Sequence, residues 1–165
     1  MKNKTLYIIR HAKAEEHSYL KKDYNRNIIA KGIERCLKLA AELNNESEIH
    51  QEHVLFISSS ANRAIQTAEL ICSQIDFPKN EIQQTRDIYE AHYKDILAVI
   101  NQVPNNINTV IICGHNPGLS DLIYYLTDSY ISLNTSAIAK IELEDWLNFS
   151  ELSSSTANLT RVISE

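Results

Sequence analysis

The sequence predicts an α/β protein: a three-layer α/β/α sandwich whose central sheet is mostly parallel, with an antiparallel edge strand. Two features carry that expectation. Short, fully apolar runs, of the kind a sheet covered on both faces requires, alternate with longer segments whose apolar residues recur every three or four positions. Near the C-terminus the pattern changes to residue-by-residue alternation, the mark of a half-covered antiparallel strand. A chain of 165 residues can bury one full core, so a single domain over 1–165 is expected.

In order along the chain, Thr5–Ile9 reads as a buried strand. Lys31–Leu43 sets Ile33, Cys36, Leu37 and Ala40 on one helical face. Val54–Ile57 is a second apolar run, and the helix after it carries Ala61, Ala64, Ile65, Ala68, Ile71, Cys72 and Ile75 on one stripe. Ile96, Leu97, Ile100 and Val103 mark a further helix, stopped before Pro104. Thr109–Cys113 is a third buried strand, followed by a helical stripe of Leu119, Leu122, Ile123 and Leu126. Ala137–Leu143 alternates as an antiparallel strand would, and Asn158–Ile163 suits a last one. No internal repeat or linker interrupts the series, and the serine-rich stretch 150–156 reads as a surface loop.

The bulk properties narrow the function classes. A net charge of −5 argues against general binding to nucleic acid or to an anionic membrane, while leaving room for a small cationic pocket. Cys36, Cys72 and Cys113 are isolated and odd in number, which fits a reducing cytoplasm and neither a disulfide framework nor a zinc ribbon. No apolar stretch approaches the length of a signal h-region or a membrane span.

Ligands of doubly wound sheets collect beyond the carboxyl ends of the strands. Three such ends here are unusual: Arg10-His11 after the first run, SSSANRA (58–64) after the second, and GHNPG (114–118) after the third. With Ser60 as N-cap, Arg63 falls in the first turn of its helix, where a cation opposes the helix dipole at a cost of about 0.3–1 kcal/mol. A bound anion reverses that cost, since backbone N–H groups and guanidinium then face the same negative charge. Taken alone, Arg63 also fits a solvated surface residue. In GHNPG, Gly114 relieves the backbone at the strand exit, Asn116 can cap the next helix and Pro117 suits its first position. His115 is thereby set at an anion-ready helix end. A lone histidine there is more often structural, but this one shares its sheet edge with His11 and two arginines.

These residues resemble a known family. Arg10-His11-Ala12, SSANRAIQT (59–67) and Gly114-His115-Asn116-Pro117-Gly118 are similar to the signature blocks of the histidine phosphatase superfamily, which also contains the cofactor-dependent phosphoglycerate mutases. RHAKAE, GHNPGL and the short length resemble most its small SixA-type branch, the phosphohistidine phosphatases. The likeness runs from Leu6 to about Leu143 and takes in DYNRNIIAKG (23–32) and NTSAIAKIEL (134–143). It implies a phosphoglycerate mutase-like fold. It also implies a hydrolase with His11 as the nucleophile that takes up the phosphoryl group, and with Arg10, Arg63, His115 and Asn116 on the phosphate oxygens. No metal or cofactor is implied. Phosphoryl transfer asks for in-line placement and for charge on three equatorial oxygens, which two guanidiniums and a donating imidazole supply. Which ring nitrogen of His11 attacks is open at this level. Water would then hydrolyse the phosphoenzyme.

Many superfamily members have a carboxylic acid that protonates an alcohol leaving group. Glu90 in IYEAHYKD (88–95) is the candidate, against a plain reading as a solvated loop carboxylate. Forgoing such an acid loses roughly 10²–10⁴-fold on alkyl phosphates, less on phosphohistidine, whose imidazole leaving group is easily protonated. Ile29 replaces the helix-capping Thr or Ser often found in relatives. The chain has little room for a lid insertion, so an open site and a phosphorylated protein as substrate are expected. A small-molecule phosphomonoesterase and a non-catalytic phosphoprotein-binding module are the alternatives. Other phosphatase chemistries leave no trace: the residues six beyond Cys36, Cys72 and Cys113 are Glu42, Pro78 and Leu119, not arginine, and no Asp-x-Asp occurs. His50 and His53 read as a solvated connector, Lys13, Glu15, His17 and His92 as rim or surface, and Tyr124 and Tyr125 as helix packing.

Overall fold

A computed structural model describes residues 2–165. Its strands β1 (Thr5–Arg10), β2 (Val54–Ser59), β3 (Gln83–Thr85), β4 (Thr109–Gly114), β5 (Ile138–Leu143) and β6 (Ala157–Ile163) form one sheet in the order β3-β2-β4-β1-β5-β6. The first four are parallel. β5 runs antiparallel to β1, and β6 antiparallel to β5, so the two late strands form the antiparallel edge of the sheet.

Helices α1 (Ala30–Leu43) and α2 (Asn62–Ile75) cover one face, over Tyr7, Ile9, Phe56 and Ile111. Helices α3 (Tyr93–Asn101) and α4 (Gly118–Thr127) cover the other, over Leu6, Ile8, Ile57, Val110 and Ile112. Successive side chains of a strand point to opposite faces, and with helices on both faces each must be apolar. The layered α/β/α prediction is met.

Four local differences have physical causes. β3 is three polar residues at the sheet edge, with no apolar pattern to announce it. β2 continues to the buried Ser58 and Ser59, so α2 starts later and Ala61, not Ser60, holds the N-cap position. α1 turns Gly32, Cys36, Leu39, Ala40 and Leu43 inward and leaves Ile33 exposed and Leu37 half-buried. Close approach at Gly32 selects that rotation, because a Cβ there would lie 2.3 Å from the Lys13 carbonyl oxygen. α3 ends at Asn101, and Val103 is buried from the turn beyond it. Among the described residues no helix is long and apolar enough to cross a membrane. All three cysteines are buried and free.

The register places the chemistry. Arg10 pairs with Gly114 and Ser58 with Cys113, so β1, β4 and β2 end side by side and deliver His11, His115 and the start of α2 to one edge of the sheet.

Candidate active site

His11 is buried just past β1, and its Nδ1 lies 2.8 Å from the carbonyl oxygen of Ala12. A carbonyl can only accept, so Nδ1 carries the hydrogen and Nε2 keeps a free lone pair. That lone pair faces Arg63, whose Nε donates to it at 3.4 Å. Arg63 is 1% exposed on the first turn of α2, yet held in a fixed plane: Nη1 donates to the Asp23 carbonyl oxygen (2.8 Å) and Nη2 to Asp23 Oδ2 (3.1 Å) and Glu90 Oε1 (2.7 Å). The loop between β1 and α1 thus positions an arginine of α2.

Arg10 turns from the end of β1 toward the same pocket. Its Nη1 donates to Leu133 O at 3.2 Å, and its buried Nε has no partner. His115 is 2% exposed, with its ring 5.2 Å from that of His11. Its Nε2 lies 2.8 Å from Ser59 Oγ, which accepts from Ala61 N–H and is therefore free to donate to the ring. His115 Nδ1 is buried without a hydrogen-bond partner, 3.4 Å from Glu90 Oε1. Two unpartnered buried donors at one pocket are an energetic liability unless an anion completes them.

Glu90 belongs to the site rather than to a remote loop. Its backbone φ is +47°, and its side chain, 46% exposed, reaches both Arg63 and His115. The close approach of Gly118 to the neighbouring Ala91 carbonyl, where a Cβ would lie at 2.3 Å, helps hold this segment against α4. Asn116 lines the pocket, but its Oδ1 accepts from Ser120 N–H and hydroxyl, and its Nδ2 donates to Leu133 O. It therefore satisfies the Ser120 N–H in the first turn of α4, which begins at Gly118 with Pro117 at its N-cap position. α1, by contrast, has Ile29 at its N-cap position and no side-chain cap.

Sequence reasoning missed four supporting residues: Asp23, Ser59, Tyr89 and Ser136. Asp23 opens the DYNRNIIAKG segment and so carries a signal, but local sequence does not name its partner. Tyr89 donates to Asp23 Oδ2 at 2.5 Å and packs edge-on against His115. The Ser136 N–H, at φ +64°, ties β5 to the carbonyls of Arg10 and His11. His17, expected at the surface, is exposed but also lines the pocket and sits 3.4 Å from Asp23. His92 caps α3 through Nδ1, away from the pocket, while His50 and His53 stay on the surface. Among the described residues no group of three or more His, Cys, Asp or Glu side chains is arranged to hold a metal ion.

The electrostatics follow from burial. Desolvation pushes His11 down to about 4, aided by the charges of Arg63, Arg10 and Arg26 against the opposing Ala12 hydrogen bond. His115 goes down to about 3, first by desolvation and then by His11 and Arg63. Burial pushes Asp23 up, but Tyr89, Arg63 and Arg26 together bring it down to about 2. The unfolded chain titrates its histidines near the ordinary value of about 6.5, so between that pH and the folded values it binds more protons than the native state. Stability therefore rises with pH through this window; it is full above about pH 6.5 and lost as the pH falls toward 4 and then 3. Denaturant titrations in phosphate-free buffer should show about 2–4 kcal/mol less stability at pH 5 than at pH 7. Equal stability at the two values would contradict neutral, buried rings.

The family model of the histidine phosphatase superfamily (branch 1) matches residues 6–115. No curated protein sequence matches the chain. A candidate phosphohistidine phosphatase SixA from Agrobacterium tumefaciens shares the fold at a TM-score of 0.80 and 18% identity, with 100% of each chain covered. The protein histidine phosphatase SixA in complex with tungstate superposes at 0.79 and 20% identity, over 97% of this chain and 96% of that one. A phosphoglycerate mutase from Bacillus anthracis superposes at 0.67 and 14%, over 94% and 93%. With two buried histidines and two arginines at the aligned ends of β1, β2 and β4, inside the matched segment, the chain belongs to the histidine phosphatase superfamily, branch 1.

Proposed function

We propose that the chain, acting as a single domain in a reducing cytoplasm, is a phosphohistidine phosphatase that uses His11 as its nucleophile on a signalling or phosphotransfer protein. The observation that carries this is the His11 ring: Nδ1–H is spent on Ala12, and the Nε2 lone pair meets Arg63 in a pocket shared with Arg10, with the His115 ring centroid 5.2 Å from that of His11. Nε2 attacks phosphorus as the substrate's N–P bond breaks, and the departing imidazole nitrogen keeps the electron pair and takes a proton. Water then attacks the phosphohistidine on His11, releasing phosphate and restoring the neutral ring. Arg10, Arg63 and His115 meet the equatorial oxygens in both steps. The incoming phosphate replaces Glu90 on Arg63 Nη2, which frees the carboxyl to serve the leaving group.

A protein substrate is supported by the openness of the pocket, whose His17 and Glu90 side chains are 78% and 46% exposed, and by the likeness to SixA proteins. Glu90 itself favours a second reading, a small-molecule phosphomonoesterase, because an alkoxide leaving group needs an acid in that place. The two separate in one comparison of phosphohistidine proteins with alkyl and aryl phosphates. For the proposed function the wild type turns over phosphohistidine proteins better. Glu90→Gln then loses about 10²-fold or more on alkyl phosphates and under about tenfold on phosphohistidine. Preference for the esters, with an equal loss on both classes, would assign the protein to the esterase reading. Phosphate binding without any turnover would assign it to a binding module.

A further inference from the structure

The β1–α1 connection carries a small hairpin closed by a bridge between Ser18 and Lys21. Its stem is firmly tied. Lys21 Nζ donates to Glu15 Oε1 at 2.8 Å, Asn27 N–H to the same carboxylate at 2.7 Å, and Arg26 Nη1 to the Glu15 carbonyl at 2.6 Å. The tip is bare: Tyr19 and Leu20 have relative exposures of 110% and 97%. Isolated exposed apolar residues need no explanation, but two adjacent ones raised on a pinned stem form a prepared contact.

The place of the hairpin says what covers it. His17 and Asp23, on either side of the bridge, line the pocket that holds His11 and Arg63, so the tip rises from the pocket rim. A small phosphate compound is held by the pocket alone. A folded protein that inserts a phosphorylated side chain must lay its own surface on the rim. Lys13, Lys22 and Glu16 flank the hairpin, all exposed and, among the described residues, without an ion-pair partner, so the basic charge is in excess by one. That excess suits an acidic border around an apolar contact.

We propose that Tyr19 and Leu20 are a docking element that takes an apolar, acid-bordered spot beside the phosphorylated side chain of the protein substrate, and so favours phosphoproteins over small phosphates. This rests on the phosphohistidine-protein reading above. The test is steady-state kinetics of the wild type and of Tyr19→Ser/Leu20→Ser on phosphoramidate, a small N–P compound. The same two enzymes are assayed on each phosphohistidine-bearing phosphotransfer protein that the wild type dephosphorylates. Both side chains are solvent-exposed, so the variant keeps its fold, checked by circular dichroism. The expected result is an unchanged kcat/KM on phosphoramidate, within about twofold, and a loss of about tenfold or more on the protein, carried by KM. Equal activity of the two enzymes on the protein, or an equal loss on both substrates, overturns the inference. So does a change of sedimenting mass in the variant, which would give the tip to self-association. A wild type active on phosphoramidate or esters but on no phosphohistidine protein removes the reading beneath it, and is recognised without the variant.

Discussion

His11→Asn lowers turnover of every substrate by about 10⁴-fold or more and leaves no phosphate on the enzyme after rapid acid-free quenching. Asparagine keeps an amide near the Ala12 carbonyl and comparable volume, so the pocket keeps its shape while the Nε2 lone pair disappears. In the wild type the trapped phosphate should be stable to base and labile to acid, as an N–P bond is and a phosphoserine is not. Burial holds the ring unprotonated down to about pH 4, so in the proposed role His11 stays available for attack well below the pH at which an exposed histidine is lost. An acid limb of kcat/KM near 6.5 assigned to His11, or a phosphoenzyme that persists in His11→Asn, would refute the role given to this residue.

Arg63→Ala is expected to cost about 10³-fold in kcat/KM and about 1–3 kcal/mol in stability. The catalytic loss follows from removing a guanidinium aimed at charge that spreads over the transferring group. The stability loss has a separate origin. Arg63 is buried and bonded to both the carbonyl and the carboxylate of Asp23, and its removal leaves a largely buried carboxylate with Arg26 and Tyr89 as its hydrogen-bond partners and exposed His17 nearby. The penalty stays moderate because the Asp23 side chain is 30% exposed. Arg63→Lys should recover little of the rate, since one ammonium cannot reach Asp23 O, Asp23 Oδ2 and His11 Nε2 from a common plane. Added guanidinium that restores part of the Arg63→Ala rate, with no change in its melting temperature, would separate the two effects. Near-wild-type kinetics in Arg63→Lys would mean that charge alone, without the fork, is what the reaction uses.

The periodicity of the chain located its elements well where burial is complete and poorly where it is not. The runs at Thr5–Ile9 and Thr109–Cys113 lie within β1 and β4, because a strand covered on both faces tolerates only apolar residues. β3 escaped notice because an edge strand of Gln83, Gln84 and Thr85 owes nothing to the core. Hydrophobicity alone puts Ile33 and Leu37 on the buried face of α1, whereas Gly32, the smallest residue available, decides which way that helix faces.

The site divides along the same line. Arg10, His11, Arg63 and His115 could be singled out as candidates because they lie at or just past three strand ends, and short-range sequence carries both the strand and its exit. Their convergence was an inference from topology that the pairing of Arg10 with Gly114 and of Ser58 with Cys113 makes concrete. Only the tertiary structure chose Nε2 of His11, since a neutral ring has two tautomers and the choice lies with whatever acceptor reaches Nδ1. It alone brought Asp23 and Glu90, 40 and 27 residues away along the chain, onto one guanidinium. Sequence by itself determined which chemical groups stand at the sheet edge, because strand, turn and cap are local. The fold determined which of their atoms remain free, because a hydrogen bond depends on where two distant segments meet.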